Sequence, residues 1–423
     1  MKRILYLPVA LFVFSCLSEK NVDPGKPYTF VRYFNGGNND FAQVAEETTE
    51  GDIIILGTTR VDAPAQLADS SKIKLIKTDR YGNTLGQNLY PAFGSTTTTL
   101  SAGALLQLTT DVSPGIKVTT GFVIAGTQIS ATRKDLYLMQ VTADSLKPAG
   151  GILGGKKIDF NVPPYNIQES VQAKAIQLNK NDNYLVLASV EANTYNMLLA
   201  EIDKNTFAIN WVNKYGAGTS TLSHQLFLDA SSPLPNVYWS GTVTRNSTDI
   251  RFVKTAQNSL NTIFDLPIGD PGFTEEGNDI CQYGLGFIVV GSSNESGSQD
   301  ILFKGLTDTG AVLFSKTVPG FSDIDAGNAV CATHNGFVVL GSVRSATDRD
   351  RVVGQDDYFL MKYDGFGNEV WSESRIFGNR TRNDKGASVR QTSDGSLLIL
   401  GTTDFGGLNT MMLMKANSEG DFE

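Results

Sequence analysis

A short sequence pattern recurs seven times along this chain of 423 residues. Each copy has three mainly apolar residues, then glycine or alanine, then threonine or serine. The copies are centred on Gly57, Gly126, Ala188, Gly241, Gly291, Gly341 and Gly401. Successive copies lie 50 to 69 residues apart. Repetition at this period indicates one supersecondary unit used along the whole chain, so the fold must be one that stacks or arranges similar units.

The segments around each copy predict three further strands. An apolar segment follows, usually ending in Lys, such as IKLIK at 73–77 and MMLMK at 411–415. A glycine-containing turn at 79–83 and a segment closing at Tyr-Gly, such as 211–216, come next. The remaining segment precedes the pattern, as at 384–392. We name these strands a, b, c and d in chain order, with the pattern on strand b. Their β-branched and aromatic residues and tight glycine turns are typical of antiparallel hairpins.

Four strands within about 50–60 residues are the size of one blade of a β-propeller. The last unit ends soon after its strand c at 411–415, whereas FVRYFNG at 30–36 aligns with WVNKYGA at 211–217. We therefore expect the N-terminal strand to join the last blade and close the ring, which leaves no free sheet edge. The sequence predicts an all-β fold over 28–423: a seven-bladed β-propeller with four antiparallel strands per blade. Two stacked β-sandwiches are the alternative, but they do not require a common period.

The N-terminus has the features of an export signal. Residues 1–16 read MKRILYLPVALFVFSC, with Lys2 and Arg3 before an apolar stretch of 11 residues. This stretch is too short to cross a bilayer of about 30 Å as a helix. It ends in Val-Phe-Ser-Cys, which resembles the lipobox of bacterial lipoproteins. We predict a signal peptide at 1–15 and a flexible tether at 16–27 that begins with the lipidated Cys16. An ordinary secretory signal with an incidental cysteine is the alternative.

Charge and cysteine content limit the partners and the redox chemistry. The net charge of −9 and the isoelectric point near 4.9 argue against binding to nucleic acid phosphates. The other two cysteines, Cys281 and Cys331, lie one repeat length apart. They are expected at equivalent positions of neighbouring blades, too far apart for a disulfide, and hence as free buried thiols.

The sequence carries no recognisable catalytic or metal-binding pattern. His224 and His334 have no His, Cys or Glu at a ligand spacing, and no G-x-S-x-G elbow occurs. The acidic clusters at 323–325 and 348–350 match no calcium-binding loop. An Asp often precedes strand c, where burial or turn capping is expected: Asp135, Asp249, Asp300 and Asp357. We predict no catalytic residue, metal or cofactor, although a carboxylate pair for glycoside hydrolysis stays open.

Two of the b–c connections are unusually long. They span 60–71 in the first repeat and 344–357 in the sixth, and both exceed the connection in the fifth. Long loops on a rigid scaffold often carry binding residues. We predict that they bind a protein partner, with a solvated loop that has no ligand as the alternative. The candidate binding residues are Arg60, Asp62, Arg344, Asp348, Arg349, Asp350, Arg351, Asp356 and Asp357.

The repeat resembles that of exported lipoproteins of Bacteroidota, whose units read ND..A.SV.QT.DG..LI.GTT followed by D.YL.K.D..GN..W…FG. Residues 383–402 match the first half of this pattern and residues 357–371 the second. The resemblance extends over 28–423 and implies a lipid-anchored outer-membrane protein displayed at the cell surface. The function it implies is a non-catalytic protein-interaction scaffold within an outer-membrane assembly or transport complex. The alternative is a glycan-binding or glycan-cleaving surface protein.

Strand order within a blade also predicts an orientation. Strand d normally begins on the face opposite the b–c loops, so the tether should enter on that opposite face. We predict that the tethered face lies toward the membrane and that the loops at 60–71 and 344–357 point away from it.

Overall fold

The protein is a ring of seven antiparallel four-stranded sheets. A computed structural model describes residues 28–422 except for 62–69, 91–98, 192–194, 217–219, 230–234, 245–246, 257–261, 319–323, 345–354 and 379–381. Within these residues, 28 strands form seven sheets, and every sheet pairs its strands in the order a, b, c, d. This confirms the all-β, seven-bladed propeller with four strands per blade.

The first three blades follow one another along the chain. Blade one comprises β2 (Asn39–Glu47), β3 (Ile53–Val61), β4 (Ser70–Thr78) and β5 (Thr84–Tyr90). Blade two comprises β6 (Thr99–Ser113), β7 (Ile116–Ile129), β8 (Lys134–Thr142) and β9 (Lys156–Ile158), with a 3₁₀ turn at Gly151–Gly154. Blade three comprises β10 (Ser170–Leu178), β11 (Tyr184–Glu191), β12 (Tyr195–Ile202) and β13 (Ile209–Tyr215).

The remaining blades keep the same order until the ring closes. Blade four comprises β14 (Ser220–Leu228), β15 (Asn236–Thr244), β16 (Thr248–Ala256) and β17 (Thr262–Ile268). Blade five comprises β18 (Glu275–Tyr283), β19 (Gly286–Ser293), β20 (Asp300–Leu306) and β21 (Val312–Val318). Blade six comprises β22 (Ala326–Thr333), β23 (Gly336–Arg344), β24 (Asp356–Tyr363) and β25 (Arg375–Phe377). Blade seven comprises β26 (Asp384–Gln391), β27 (Leu397–Phe405), β28 (Leu408–Ala416) and β1 (Phe30–Phe34).

The ring is closed by the N-terminal strand, as the sequence predicts. Strand β1 pairs antiparallel with β28, with Phe30 opposite Lys415 and Phe34 opposite Met411. The buried Phe30 side chain packs in a cluster that also contains Ile55 of blade one and Leu400 of blade seven. The closing strand therefore stabilises the contact between the first and last blades as well as covering the edge of β28.

The repeated glycine of strand b is a contact point between neighbouring blades. A Cβ atom on Gly341 would lie 2.7 Å from Cδ1 of Ile301, which belongs to strand c of the preceding blade. A Cβ atom on Gly126 of blade two would likewise lie 2.7 Å from Cδ1 of Ile73, which belongs to strand c of blade one. Because these distances are shorter than van der Waals contact, a side chain at either glycine would require the neighbouring isoleucine to move. Blade three has Ala188 at the equivalent position. The repeated small residue of strand b therefore lies where neighbouring blades pack closely.

A β-bulge occurs in the innermost strand of every blade, just after the residue that pairs with the strand-b centre. The register shifts between Ala42 and Val44 in β2 and between Gly277 and Asp279 in β18, for example. In β14 the shift lies between Ser223 and Leu226. A bulge leaves one residue outside the ladder and re-aims its side chain. In the other six blades the extra residues line the central channel: Gln43, Gly103, Lys174, Asn278, Asn328 and Ala387.

Two segments depart from the pattern of the other blades. Strand d of blade six spans only Arg375–Phe377, and the buried Trp371 side chain that precedes it lies against Gly420. In blade two, the glycine-rich segment Gly151–Gly154 forms a 3₁₀ turn ahead of the short strand β9. The extra residues of that blade lengthen β6 and β7 into a long hairpin.

Cys281 and Cys331 are both buried and unbridged, which confirms the prediction. They pair with Ile288 and Val338 at the same register position of neighbouring blades. In the part of the chain that the structure describes, no helix is long and apolar enough to span a bilayer.

Candidate functional site

The predicted loop residues are only partly described. Arg60 is exposed at the end of β3, with its guanidinium 5.9 Å from the ring centre of Phe41. The Nε of Arg344 donates to Oδ1 of Asp356 at 2.7 Å. Asp357 is only 2% exposed, as expected for the Asp that precedes strand c. It therefore belongs to the blade interior rather than to a loop surface. Asp62, Asp348, Arg349, Asp350, Arg351 and the lipidation residue Cys16 lie outside the described residues.

The ring has two distinct faces. We call the end with the b–c and d–a connections the loop face, and the end with the a–b and c–d turns the turn face. Arg60 pairs with Asn39 at the loop-face end of blade one. Strand β1 begins at the opposite end, where the ring of Tyr28 contacts that of Tyr81 in a c–d turn, with 4.9 Å between centroids. The chain thus enters on the face opposite the long loops, as the strand order predicts.

Several acidic groups at the loop-face ends of the inner strands are buried and ion-paired. Asp40 Oδ2 lies 2.6 Å from Nζ of Lys74, and Glu275 Oε2 lies 3.0 Å from Nζ of Lys304. Burial raises the pKa of Glu275, and the Lys304 ammonium opposes that rise. Each pair joins strand a to strand c beneath the surface, so removal of one member would leave an uncompensated charge inside the blade.

The part of the chain that the structure describes contains no candidate metal centre. His334 is exposed in the a–b turn of blade six, and His224 lies in the innermost strand of blade four. Among the described residues, no three His, Cys, Asp or Glu side chains converge in a group that could hold a metal ion.

The central channel of the ring is a cavity of about 690 Å³. Strands a of all seven blades contribute to its wall. At the level of the bulges, four of the six described bulge residues are polar: Gln43, Lys174, Asn278 and Asn328. Carboxamide groups predominate among the polar lining residues: Gln43, Gln177, Asn278, Gln282, Asn328 and Gln391. The volume lies within the range of small-molecule sites.

Charged groups occupy two levels of the channel wall. Lys174 is the bulge residue of blade three, and burial lowers its pKa. The second level lies three residues beyond the bulge of each strand and contains Glu46 of blade one, Gln177 of blade three and Arg390 of blade seven. Burial raises the pKa of Glu46, and the nearby Arg390 guanidinium opposes that rise. Burial therefore favours the uncharged forms of Lys174 at the first level and of Glu46 at the second.

The two thiols belong to the same level as Arg390. Cys281 and Cys331 line the channel, and burial is the main reason that their pKa values are raised, for Cys331 to about 12. Both thiols are therefore neutral near pH 7, and poor nucleophiles, because the thiolate is the reactive form.

A second feature is an exposed apolar patch on the turn face, which we define as Leu285, Leu313 and Phe366. Their exposed fractions are 94%, 65% and 78%. Leu285 lies between a cavity of about 220 Å³ that Tyr238 lines and one of about 300 Å³ that Tyr283 lines. Leu285 projects from the a–b turn of blade five and Phe366 from the c–d turn of blade six.

Charged groups surround this apolar patch. Asp308 lines both cavities, its side chain is 55% exposed, and its Oδ2 lies 3.7 Å from Nζ of Lys254. Asp229 lines the cavity on the blade-four side, and Asp364 begins the turn that carries Phe366. The patch is therefore apolar at its centre and charged at its rim, where three carboxylates of the described residues stand against one ammonium group.

Sequence reasoning missed both the channel site and the apolar patch, although each left a signal. The channel residues follow a small residue in strand a, as in Ala173-Lys174 and Gly277-Asn278. Leu285 and Phe366 each stand between two glycines within a turn, where an apolar side chain cannot be buried by its neighbours. Periodicity alone does not separate these positions from ordinary strand and turn residues.

Comparison with known proteins finds solved structures of similar fold. No family model matches the chain, and no curated protein matches it significantly. A protein of unknown function from Dyadobacter fermentans is 11% identical with a TM-score of 0.50, covering 93% of this chain and 98% of that one. The polysaccharide lyase Uly1 is 8% identical with a TM-score of 0.52, covering 95% and 94%. The Dos1 propeller is 12% identical with a TM-score of 0.47, covering 94% and 98%. The chain is a seven-bladed β-propeller protein, and such low identities establish its fold alone.

Proposed function

We propose that this protein is a non-catalytic, lipid-anchored interaction scaffold that binds a protein partner at the outer membrane. The observation that carries the proposal is the apolar patch on the turn face. Leaving three large apolar side chains in water is unfavourable, and clustered exposed apolar groups mark interaction surfaces.

The rim of the patch specifies the chemistry of the partner. Asp229, Asp308 and Asp364 lie around Leu285 and Phe366. Asp308 is paired with Lys254 at 3.7 Å, so acidic groups outnumber basic ones among the described residues of the rim. A complementary surface presents apolar side chains flanked by Lys or Arg. Charge of this kind at a rim guides encounter and orientation, whereas burial of the central apolar groups supplies the affinity.

The place where the chain enters supports a partner near the membrane. Residue 28 lies on the turn face, so a lipid on Cys16 would tether that same face to the bilayer. An outer-membrane protein that projects beside the tether would meet the patch directly. On this proposal the long loops at 60–71 and 344–357 point away from the membrane and are free for a second contact.

Crosslinking and affinity capture of the full-length chain from intact membranes test the partner. The double substitution Leu285→Ser/Phe366→Ser should reduce recovery of the partner by about tenfold or more, which equals the loss of about 1.4 kcal/mol. Leu85→Ser/Leu89→Ser is the matched control, since both leucines are exposed on the outer strand of blade one. Equal recovery with the two variants, or no reproducible partner with the native chain, would contradict the proposal.

The anchor requires its own experiment. Cys16→Ser should abolish incorporation of labelled palmitate and release the protein from the membrane fraction, because a triacylated cysteine is a durable anchor. Cys281→Ser is the matched control and should keep both the label and the membrane association. Loss of neither property in Cys16→Ser would show that the segment 1–16 is not a lipoprotein signal.

A second candidate function is recognition of glycans. The observation that favours it is the open central channel with its many carboxamide groups, since such groups both donate to and accept from hydroxyls. A glycan array probed with the purified chain tests it, and binding to none of the glycans argues against it.

A further inference from the structure

The first two strands of blade two form a hairpin that extends beyond their sheet. Strand c of this blade ends at Thr142, which pairs with Gly121 of β7. Beyond that point β6 and β7 continue as a two-stranded ribbon that begins with Thr109 opposite Thr119. We call residues 109–119 the arm. Five residues of its first strand at about 3.3 Å each project roughly 16 Å from the sheet. The projection is on the turn face, because the a–b connections lie there.

The base of the arm is bound to blade one. The backbone N–H of Thr119 donates to Oε1 of Glu50 at 2.7 Å, and the N–H of Thr49 donates to Oγ1 of Thr119 at 3.2 Å. Thr49 and Glu50 belong to the a–b turn of blade one. Every residue from 109 to 117 is exposed. The arm is therefore fixed at the level of the neighbouring turn, and its tip stands in solvent above that turn.

The tip of the arm is uncharged and partly apolar. Residues 112–116 read Val-Ser-Pro-Gly-Ile, and Val112 and Ile116 are 59% and 57% exposed. The flanking residues Asp111 and Lys117 pair across the hairpin immediately below the tip. A segment that enters the headgroup region of a bilayer buries its apolar groups and keeps its charged groups in water. The distribution of charge and apolar groups along the arm matches that requirement.

The arm lies on the face where the chain enters the ring. The ring of Tyr28 contacts that of Tyr81, in the c–d turn of the adjacent blade one, with 4.9 Å between centroids. Both tyrosines are partly exposed, and tyrosine is favoured at the level of lipid headgroups. Tyr28 follows Cys16 by twelve residues, which can span at most about 40 Å. A lipid on Cys16 would therefore keep this face, and the arm on it, within reach of the bilayer.

We propose that the tip of the arm enters the headgroup region of the membrane that holds the lipid anchor, where Val112, Pro114 and Ile116 leave water. Burial of these apolar groups is favourable, and an arm already fixed at its base loses little conformational freedom on insertion. A bilayer surface accommodates a projecting tip without a matching cavity, which a protein partner would have to provide. This inference rests on the lipid anchor of the proposed function. It is independent of the apolar patch on blades five and six.

Fluorescence of the lipidated chain in vesicles of phosphatidylethanolamine and phosphatidylglycerol tests the inference. Ser113→Cys carries an environment-sensitive fluorophore at the tip, while Cys281 and Cys331 are buried and stay unlabelled. Nitroxide-labelled lipids should quench this fluorophore at least about twofold, since an inserted tip lies about 5–10 Å deep. Phe405→Cys with the same label is the matched control, because Phe405 is 49% exposed at the end of the b–c hairpin of blade seven, on the loop face. Its emission should not change.

Substitutions show whether the apolar groups cause the insertion. Val112→Asp/Ile116→Asp in the Ser113→Cys chain should abolish the quenching, because carboxylates do not leave water at neutral pH. Leu85→Asp/Leu89→Asp adds the same charge on the exposed outer strand of blade one and should leave the quenching unchanged. Circular dichroism confirms that each variant is folded.

Three results would overturn the inference. In the first, the fluorophore at position 113 of an anchored chain is quenched no more than that at position 405. In the second, quenching survives in the folded Val112→Asp/Ile116→Asp variant. In the third, the emission at position 113 shifts to the blue in native membranes but not in lipid vesicles, which would assign the tip to a protein partner.

Failure of the anchor is recognised separately, by the absence of palmitate from the chain, and the inference would then fall with it. A palmitoylated chain whose tip stays in water would remove only the inference. Capture of a partner through Leu285 and Phe366 is unaffected by either result.

Discussion

At the scale of single residues, buried charges explain why polar positions recur inside the blades. Lys304 is 2% exposed and Glu275 is completely buried, yet their charged atoms meet at 3.0 Å. Such a pair adds little over an apolar pair of the same size, but removal of one member leaves an uncompensated charge in the interior. Loss of one partner should therefore destabilise the fold more than loss of both.

Lys304→Met is expected to destabilise the protein by about 3–5 kcal/mol in urea unfolding at pH 7. Lys316→Met, on the exposed outer strand of the same blade, is the control and should change stability little. The double variant Lys304→Met/Glu275→Gln should regain part of the loss. If Lys304→Met proves as stable as Lys316→Met, the pair has no structural role.

The same variant should also have a defined pH dependence. The folded-state pKa of Glu275 is raised above its ordinary value of 4.5 by burial, and without the Lys304 ammonium it should rise further. Between 4.5 and the raised value the folded state binds more protons than the unfolded state, so stability falls as the pH increases through that window. The cost of Lys304→Met should therefore be small near pH 4 and large at pH 7. A cost that is independent of pH would contradict this assignment.

At the scale of elements, close contacts at the repeated glycine fix how neighbouring strands and blades pack. A Cβ on Gly291 would lie 1.7 Å from the carbonyl oxygen of Glu276 in the adjacent strand. The obstructing atom belongs to the backbone, so a side-chain rotation cannot relieve the clash. Glycine is thus required by packing at position 291.

Gly291→Ala should cost about 1–3 kcal/mol or more, because the two strands must separate to admit the methyl group. Gly86→Ala is the matched control: Gly86 lies in the outer strand of blade one, and no heavy atom stands within 4 Å of the added Cβ. The control should be neutral or slightly stabilising, since alanine restricts the unfolded chain. Equal urea midpoints for the two variants would argue against close strand packing at this glycine.

At the scale of the whole molecule, closure by β1 joins the two ends of the chain. The strand covers the edge of β28, and Phe30 packs between blades seven and one. An uncovered β28 would present unpaired backbone N–H and C=O groups, which favours pairing between molecules.

Removal of residues 1–36 should therefore lower the melting temperature and cause association that sedimentation detects. Removal of residues 1–27 alone is the control and should leave the described fold unchanged, since it spares β1. If the chain lacking 1–36 remains monomeric and has the same melting temperature as the control, β1 is not needed to close the ring.

The sequence by itself determined the number of blades, the four-strand unit and the closing strand, because each depends on a local pattern that recurs along the chain. The burial of Asp357 and the equivalent positions of Cys281 and Cys331 follow from the same repeat. Only the tertiary structure decided which side chains face the channel and which meet on the turn face. Lys174 and Arg390 are far apart in sequence, and a bulge in each inner strand brings them to one cavity when the ring closes. Convergence of that kind depends on the curvature of the whole ring, which no local pattern encodes.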